Sequence, residues 1–299
     1  MKIIITGGVG YIGSHVVLTA LDRGYEVTVF DDLSTGNKKN INRKCKFIEG
    51  SINSKEDLSK LFANDKYDAV IHLAASKASR ESMLNPKKYA QNNIIGSLNI
   101  LISCIDHGVK YFIFSSSAAV YGRPMYVPID ELHPMQPSSY YGQTKLSTEN
   151  SLEWFSKIHG LFYASLRYFN AAGFDINQKI IGKEKNTENL IPMIMDVAKG
   201  NKPFIPIYGN DYSTKDGTGV RDYIHVTDLA IAHICALEYL RKNSKNLILN
   251  LGSETGFSVL EILEKTKQIL NIDIPYQIEE RREGDAAKVV SSCSLAEDI

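Results

Sequence analysis

The chain has 299 residues, with 34 Lys plus Arg, 34 Asp plus Glu and a hydrophobic fraction of 43%. That length allows one large domain, or a medium one with a smaller companion. A net charge of zero argues against a general nucleic-acid binder, which needs a positive excess to displace counterions, while leaving room for a local basic pocket.

The first apolar run, Lys2–Ile5, predicts a short strand; it is too short for a signal peptide, and no stretch approaches the roughly 20 apolar residues of a membrane span. Further strands are predicted at Glu26–Phe30, Lys46–Ile48, Ala69–Leu73, Tyr111–Ser115 and Phe162–Arg167. Amphipathic helices are predicted at Tyr11–Arg23, Lys55–Phe62, Pro86–His107 and Tyr141–His159. Apolar strands alternating with helices imply a parallel sheet buried on both faces, hence an α/β, Rossmann-type doubly wound fold. After Arg167 the pattern loosens. Helices near Leu190–Lys199 and Val226–Arg241 and a strand near Leu247–Leu251 suggest a smaller C-terminal α/β lobe. The expected division is 1–167 for a dinucleotide-binding domain and 168–299 for a substrate lobe partly interleaved with it. Cys45, Cys104, Cys235 and Cys293 show no C-x-x-C spacing, so neither a metal site nor a disulfide framework is expected, and the thiols read as reduced, in a cytoplasmic protein.

Between the first strand and first helix lies Gly7-Gly8-Val9-Gly10-Tyr11-Ile12-Gly13. It satisfies G-x-G-x-x-G at Gly8, Gly10 and Gly13, and G-x-x-G-x-x-G at Gly7, Gly10 and Gly13. Either spacing permits a tight turn, lets backbone N–H groups approach a pyrophosphate, and places that charge at a helix N-terminus. Asp31 ends the second strand, where a carboxylate accepts bonds from ribose hydroxyls and repels a 2′-phosphate; NAD is therefore expected over NADP, with Asp32 beside it.

Tyr141-Gly142-Gln143-Thr144-Lys145 gives Y-x-x-x-K, which on a helix sets both side chains on one face. A tyrosine is a poor base at neutral pH; a nearby ammonium favours its phenolate and is expected to bring its pKa down. Ser115-Ser116-Ser117 closes the fifth strand, at the carboxyl end where ligands of such sheets gather. Ser117 is expected to bridge Tyr141 and a substrate hydroxyl.

Together these residues resemble the extended short-chain dehydrogenase/reductase family. The stretches His72–Ala78, Arg167–Asn170, Gly209–Tyr212, Asp216–Val226 and Arg281-Arg282-Glu283-Gly284-Asp285 are similar to its UDP-glucose/UDP-galactose 4-epimerase branch, over nearly the whole chain. The resemblance implies an NAD site made by Gly7, Gly10, Tyr11, Ile12, Gly13, Asp31, Asp32, Ser51, Ile52, Leu73, Ala74, Ala75, Lys77, Asn92, Ser115, Tyr141, Lys145 and Tyr168. It implies a UDP-sugar site made by Ser117, Tyr141, Phe169, Asn170, Asn189, Leu190, Ile207, Tyr208, Arg221, Tyr223, Arg282, Asp285 and Val289. It further implies a homodimer paired through the Pro86–His107 and Tyr141–His159 helices.

The chain departs from the family in three places. Ser51 stands where an acid usually contacts the adenine amino group, so weaker adenine binding is expected. Ala119 replaces a threonine near the catalytic serine. The family continues past residue 299, so the chain is read as shortened at its C-terminus. The rival readings are a UDP-sugar dehydratase or decarboxylase, and a non-catalytic NAD-sensing regulator. The first two need carboxylates directly after Ser117, where Ala118 and Ala119 stand; a regulator commonly loses the tyrosine or lysine, and this chain keeps both. Val289 is small where some relatives carry tyrosine, so acetylated UDP-sugars are expected to fit.

Overall fold

The computed structural model describes residues 1–63, 65–183, 189–282 and 284–299. In chain order, β1 (Lys2–Thr6), α1 (Tyr11–Asp22), β2 (Glu26–Asp31), β3 (Lys46–Glu49), α2 (Lys55–Ala63) and β4 (Ala69–His72) open the fold. Then follow α3 (Ser79–Leu84), α4 (Pro86–Tyr89), α5 (Gly96–Asp106), β5 (Tyr111–Ser115), α6 (Tyr140–His159), β6 (Phe162–Tyr168), β7 (Asn170–Ala172) and α7 (Leu190–Ala198). The rest is β8 (Ile205–Tyr208), β9 (Val220–His225), α8 (Val226–Asn243), β10 (Leu247–Leu251), β11 (Gly256–Ser258), α9 (Val259–Leu270), β12 (Tyr276–Glu279), β13 (Lys288–Val289) and α10 (Ser294–Glu297).

Seven strands form the main sheet in the order β10-β6-β5-β4-β1-β2-β3, every neighbour parallel. Such strands are buried on both faces, which is why Ile3, Ile4 and Ile5 in β1 and Val70 and Ile71 in β4 form unbroken apolar runs with no exposure. One core beneath the sheet includes Val16 and Val17 of α1 and Leu229, Ile234 and Leu237 of α8. The other includes Leu58 and Leu61 of α2, Ile100 and Leu101 of α5 and Leu152 of α6. The strand order reverses direction between β1 and β4, so their carboxyl ends flank a crevice, the usual ligand position in such sheets.

Two expectations are corrected. The helix and strand near Val226–Arg241 and Leu247–Leu251 do not belong to a separate lobe: β10 pairs with β6, and α8 packs on α1. Leu247, Leu249 and Leu251 supply the apolar residues a sheet strand needs. What remains of the small lobe is α7, β8, α9 and β12 around Ile194, Ile205, Ile207 and Leu263, with β7, β9, β11 and β13 forming a sheet that joins it to the main body. Likewise, Pro86–His107 is not one uniform helix. Ala90–Ile95 is a π-helical stretch between α4 and α5. Its widened turn lets consecutive residues face the same loop: Asn93 Nδ2 donates to Ser76 O at 2.8 Å and its Oδ1 accepts from Ser76 N at 2.8 Å, while Asn92 Nδ2 donates to Ser76 Oγ at 3.2 Å. Such bulges recur at functional sites.

Candidate active site

The glycine turn after β1 is shaped by close approach. Gly7 adopts φ +71°, and a Cβ there would lie 2.8 Å from Ala74 N; one on Gly13 would lie 2.1 Å from Gly7 O. The backbone is therefore bare where α1 begins, and Gly10, its N-cap, makes no side-chain cap. Uncapped N–H groups at a helix N-terminus suit a pyrophosphate. Asp31 is buried at the end of β2. Its carboxylate accepts from Val9 N at 3.2 Å and Leu33 N at 2.8 Å, and burial pushes its pKa upward against those two bonds. Asp32 is exposed and accepts from Ser34 N and Oγ. This donor and acceptor set fits a dinucleotide with a free ribose diol.

Other residues expected at that site divide into two kinds. Leu73, Ala74 and Ala75 follow β4, with Ala74 N donating to Thr6 Oγ1 at 3.3 Å, and Lys77 is exposed beyond them. Tyr11 donates its hydroxyl to Gly173 O at 2.6 Å. Ile12 and Ile52 have side chains in or against the two cores, so only their backbone faces the turn. Ser51 Oγ accepts from Asn53 N at 3.3 Å, and its own N–H donates to Asp57 Oδ2 at 3.1 Å. Tyr168 is half-buried, its ring 6.3 Å from that of His233.

The three residues expected to carry chemistry converge at the end of β5. α6 starts from Ser139, whose hydroxyl accepts from Gly142 N, and carries Tyr141 and Lys145 on one buried face. Ser117 hydrogen-bonds Tyr141 and caps a short turn, its Oγ accepting from Ala119 N at 3.2 Å. Lys145 Nζ donates to Ser115 O at 2.7 Å and lies 5.8 Å from the Tyr141 ring centroid. Burial brings Lys145 down to about 7, opposed by the Glu149 charge. The expectation that the ammonium lowers the tyrosine is corrected: burial pushes Tyr141 up to about 12, with the Ser117 hydrogen bond opposing. Both groups are sealed from water, and desolvation outweighs the lysine's pull at that distance.

Behind them lies a network that sequence reasoning missed. Glu149, four residues past Lys145, accepts from Ser116 Oγ at 2.5 Å and pairs with Arg167 Nη2 at 2.6 Å. Arg167 Nη1 donates to Tyr121 OH at 3.0 Å, and that hydroxyl donates to Asn250 Oδ1 at 2.7 Å. The signal was present: Tyr141, Lys145 and Glu149 continue one i,i+4 row. His72 joins Thr6 Oγ1 at 2.7 Å and Ser97 Oγ at 2.9 Å, kept neutral by burial, which brings it to about 3. Ser115 Oγ pairs with His233 Nε2 at 2.9 Å, so its side chain faces α8.

On the small-lobe side, Asn170 Nδ2 donates to Asp222 O at 2.8 Å, and Phe169 is buried beside Tyr121. Asn189 occupies the N-cap position of α7, without a side-chain cap bond, and Leu190 begins the helix. Tyr208 lies under Arg282, whose Cζ is 3.8 Å from the ring centroid. Arg221 Nη2 pairs with Asp285 at 3.3 Å, and its Nη1 donates to Ala286 O at 3.0 Å. Tyr223 is half-buried on β9, and burial raises its pKa. Ile207 is buried in the small lobe's own core, so its side chain lines that core rather than a cleft. Glu283 of the Arg281–Asp285 motif lies outside the described residues.

Comparison with known proteins fits this geometry. The model of the NAD dependent epimerase/dehydratase family matches residues 3–252. The chain belongs to that family. It is 42% identical over 299 residues to a UDP-glucose 4-epimerase of Halalkalibacterium halodurans, covering all of this chain and 89% of the relative. The crystal structure of a UDP-glucose 4-epimerase from Brucella ovis in complex with NAD superposes with a TM-score of 0.96 at 39% identity, over 99% of this chain and 91% of that one. The UDP-Glc/GlcNAc 4-epimerase of Campylobacter jejuni gives 0.87 at 38% identity, over 99% and 92%. Among the described residues no helix is long and apolar enough to cross a membrane, and no cluster of His, Cys, Asp or Glu could hold a metal ion.

Proposed function

We propose that the protein interconverts UDP-glucose and UDP-galactose by inverting C4 through a transient 4-keto sugar. The observation that carries this reading is the convergence of Ser117 with the buried Tyr141 and Lys145 at the carboxyl end of β5. NAD, when bound, supplies a reversible acceptor for the hydrogen on C4 and a positive ring charge that favours the tyrosine phenolate. Tyr141 takes the proton from the 4-hydroxyl and, once the sugar has turned its other face, returns it to that oxygen, with Ser117 holding the oxygen. Lys145, brought down to about 7 by burial, places a positive charge within reach of the phenolate whenever it is protonated. Arg221 and Arg282 suit the diphosphate, which stays held while the sugar presents either face.

Support for a cofactor retained through each cycle is the bare glycine turn and the buried Asp31 carboxylate that would hold it. Residues 1–167, with α8 and β10, would hold it, and the remainder of 168–299 would take the UDP-sugar. The four unpaired cysteines are compatible with a cytoplasmic enzyme. A homodimer through the α5 and α6 faces is supported by Ile95, Ile102, Trp154 and Ile158, which are exposed at helical spacing; light scattering showing only monomer at micromolar concentration would oppose it. The central test is incubation with UDP-galactose. UDP-glucose should form, and denaturing the purified protein should release NAD. Absence of UDP-glucose would remove the assignment, and a stably folded, active, nucleotide-free preparation would remove the tight-cofactor reading.

A further inference from the structure

A cavity of about 290 Å³ lies between α3 and the small lobe, with Arg80 on one side and Lys202, Phe204, Tyr208 and Arg282 on the other. Three of these side chains are cations, and among the described residues no carboxylate shares the wall. Nearby cations are neutralised: Lys88 pairs with Glu81 at 2.7 Å and Arg281, next to Arg282, with Asp211 at 2.6 Å. Arg80, Lys202 and Arg282 form no ion pair among the described residues. Unpaired cations around one cavity repel each other unless an anion sits among them. The same wall holds two aromatic rings, Phe204 and Tyr208, offering flat apolar surface. A nucleotide joins an anion to a flat ring and so matches both features.

Arg80 cannot turn away at will, because its helix is held at several points. Tyr89 donates its hydroxyl to Ala78 O at 2.7 Å and contacts Glu81 Oε2 at 3.0 Å. Ser82 is fully buried, and its Oγ accepts from Tyr141 N at 2.9 Å. These bonds fix α3 to the start of the helix that carries Tyr141 and leave Arg80 as the exposed residue facing the cavity. We propose that Arg80 grips the nucleoside diphosphate of the substrate from the main-sheet side, opposite Lys202 and Arg282, and so closes the small lobe against α3. The proposal rests on the UDP-sugar reading and adds to it a residue that joins nucleotide binding to the element seating Tyr141. Such a grip acts on substrate and transition state alike, so its loss falls on KM rather than kcat.

The experiment is calorimetric titration of the NAD-loaded protein with UDP, for wild type, Arg80→Ala, Arg80→Lys and Lys202→Ala, at two salt concentrations, with KM and kcat for UDP-galactose measured alongside. Arg80→Ala should weaken UDP binding about tenfold and flatten its salt dependence. Arg80→Lys should recover part of the affinity, and KM should rise with little change in kcat. Unchanged UDP affinity and KM in Arg80→Ala overturn the proposal while leaving the epimerase assignment intact. Wild type that binds UDP, loses affinity on Arg80→Ala, yet makes no UDP-glucose would keep the grip and overturn the assignment instead.

Discussion

Arg167 and Arg282 each lie over an aromatic ring, at 5.1 Å from the Tyr121 centroid and 3.8 Å from that of Tyr208. There the likeness ends. Arg167 is buried, pairs with Glu149 and reaches Tyr121 OH. Arg282 is exposed and has no carboxylate partner among the described residues. Behind the catalytic residues the polar groups are already satisfied by the protein. The small-lobe side leaves several cations to be satisfied by a ligand. A reaction that turns its substrate over needs this asymmetry: the reacting groups must not move, while the nucleotide must be gripped by groups that are not already spent on the protein.

The largest effect should separate these two arginines. Arg167→Ala strands the buried Glu149 carboxylate, so unfolding free energy should fall by about 3–5 kcal/mol, read by denaturant titration. Arg282→Ala should stay within about 0.5 kcal/mol of wild type and instead raise KM for UDP-sugars. Equal stability losses in the two variants would erase the distinction. Within the main-sheet side, Tyr141→Phe and Lys145→Ala should each cut turnover by at least about a hundredfold, or about 2.7 kcal/mol; near-normal turnover in either would remove it from the chemistry.

Lys145 sharpens the comparison further, because a site built for chemistry carries a cost in stability. Its folded pKa of about 7 lies below the ordinary lysine value of 10.5. Between those values the unfolded chain holds a proton that the folded chain lacks, so stability rises with pH through that window, and the burial penalty is fully present below it. Lys145→Met should therefore be more stable than wild type at pH 6–7, by at least about 1 kcal/mol of unfolding free energy, with the gain shrinking as pH approaches 10. A variant less stable than wild type at pH 6 would show that the bond to Ser115 O outweighs the burial penalty.

Sequence reading reached the main sheet because its strands are continuous apolar runs such as Ile3-Ile4-Ile5; it reached Tyr141 and Lys145 because their spacing is local, and Ser117 because it closes a readable strand. It misassigned α8 and β10, since nothing in Leu247–Leu251 tells which sheet it joins; only the long-range pairing with β6 does. α9 went unread although Ser258 and Glu261 form a capping box, a signal visible at three-residue spacing. The Glu149–Arg167 pair joins residues 18 apart, and Arg80 faces Lys202 and Arg282 only after the chain has folded. The π-helical stretch likewise has no spacing rule that would announce it, because its cause is a loop 16–17 residues away.

The smallest expected effect concerns where the two regions meet. Val289 lies on β13, in register with Arg221 of β9, and packs against the cluster of Val120, Tyr121, Ile129 and Phe169, with Ala118 beside it. It therefore touches both sides: Ala118 follows Ser117, and Phe169 precedes Asn170. Lys288 is exposed, with its stem beside Gly256, and successive strand residues face opposite ways, so it does not compete with Val289 for that space. A valine there leaves room that a tyrosine would fill, and an N-acetyl group on C2 of the sugar needs room. Wild type is therefore expected to interconvert UDP-N-acetylglucosamine and UDP-N-acetylgalactosamine as well as the plain pair. Val289→Tyr should lower the ratio of kcat/KM for acetylated over plain substrates about tenfold, the scale of a steric mismatch in a pocket. Because Val289 also packs on the cluster, the variant's thermal unfolding must be measured alongside. A ratio that stays constant while both substrates decline together would mean that the residue serves packing alone, and that the meeting point of the two regions does not choose the substrate.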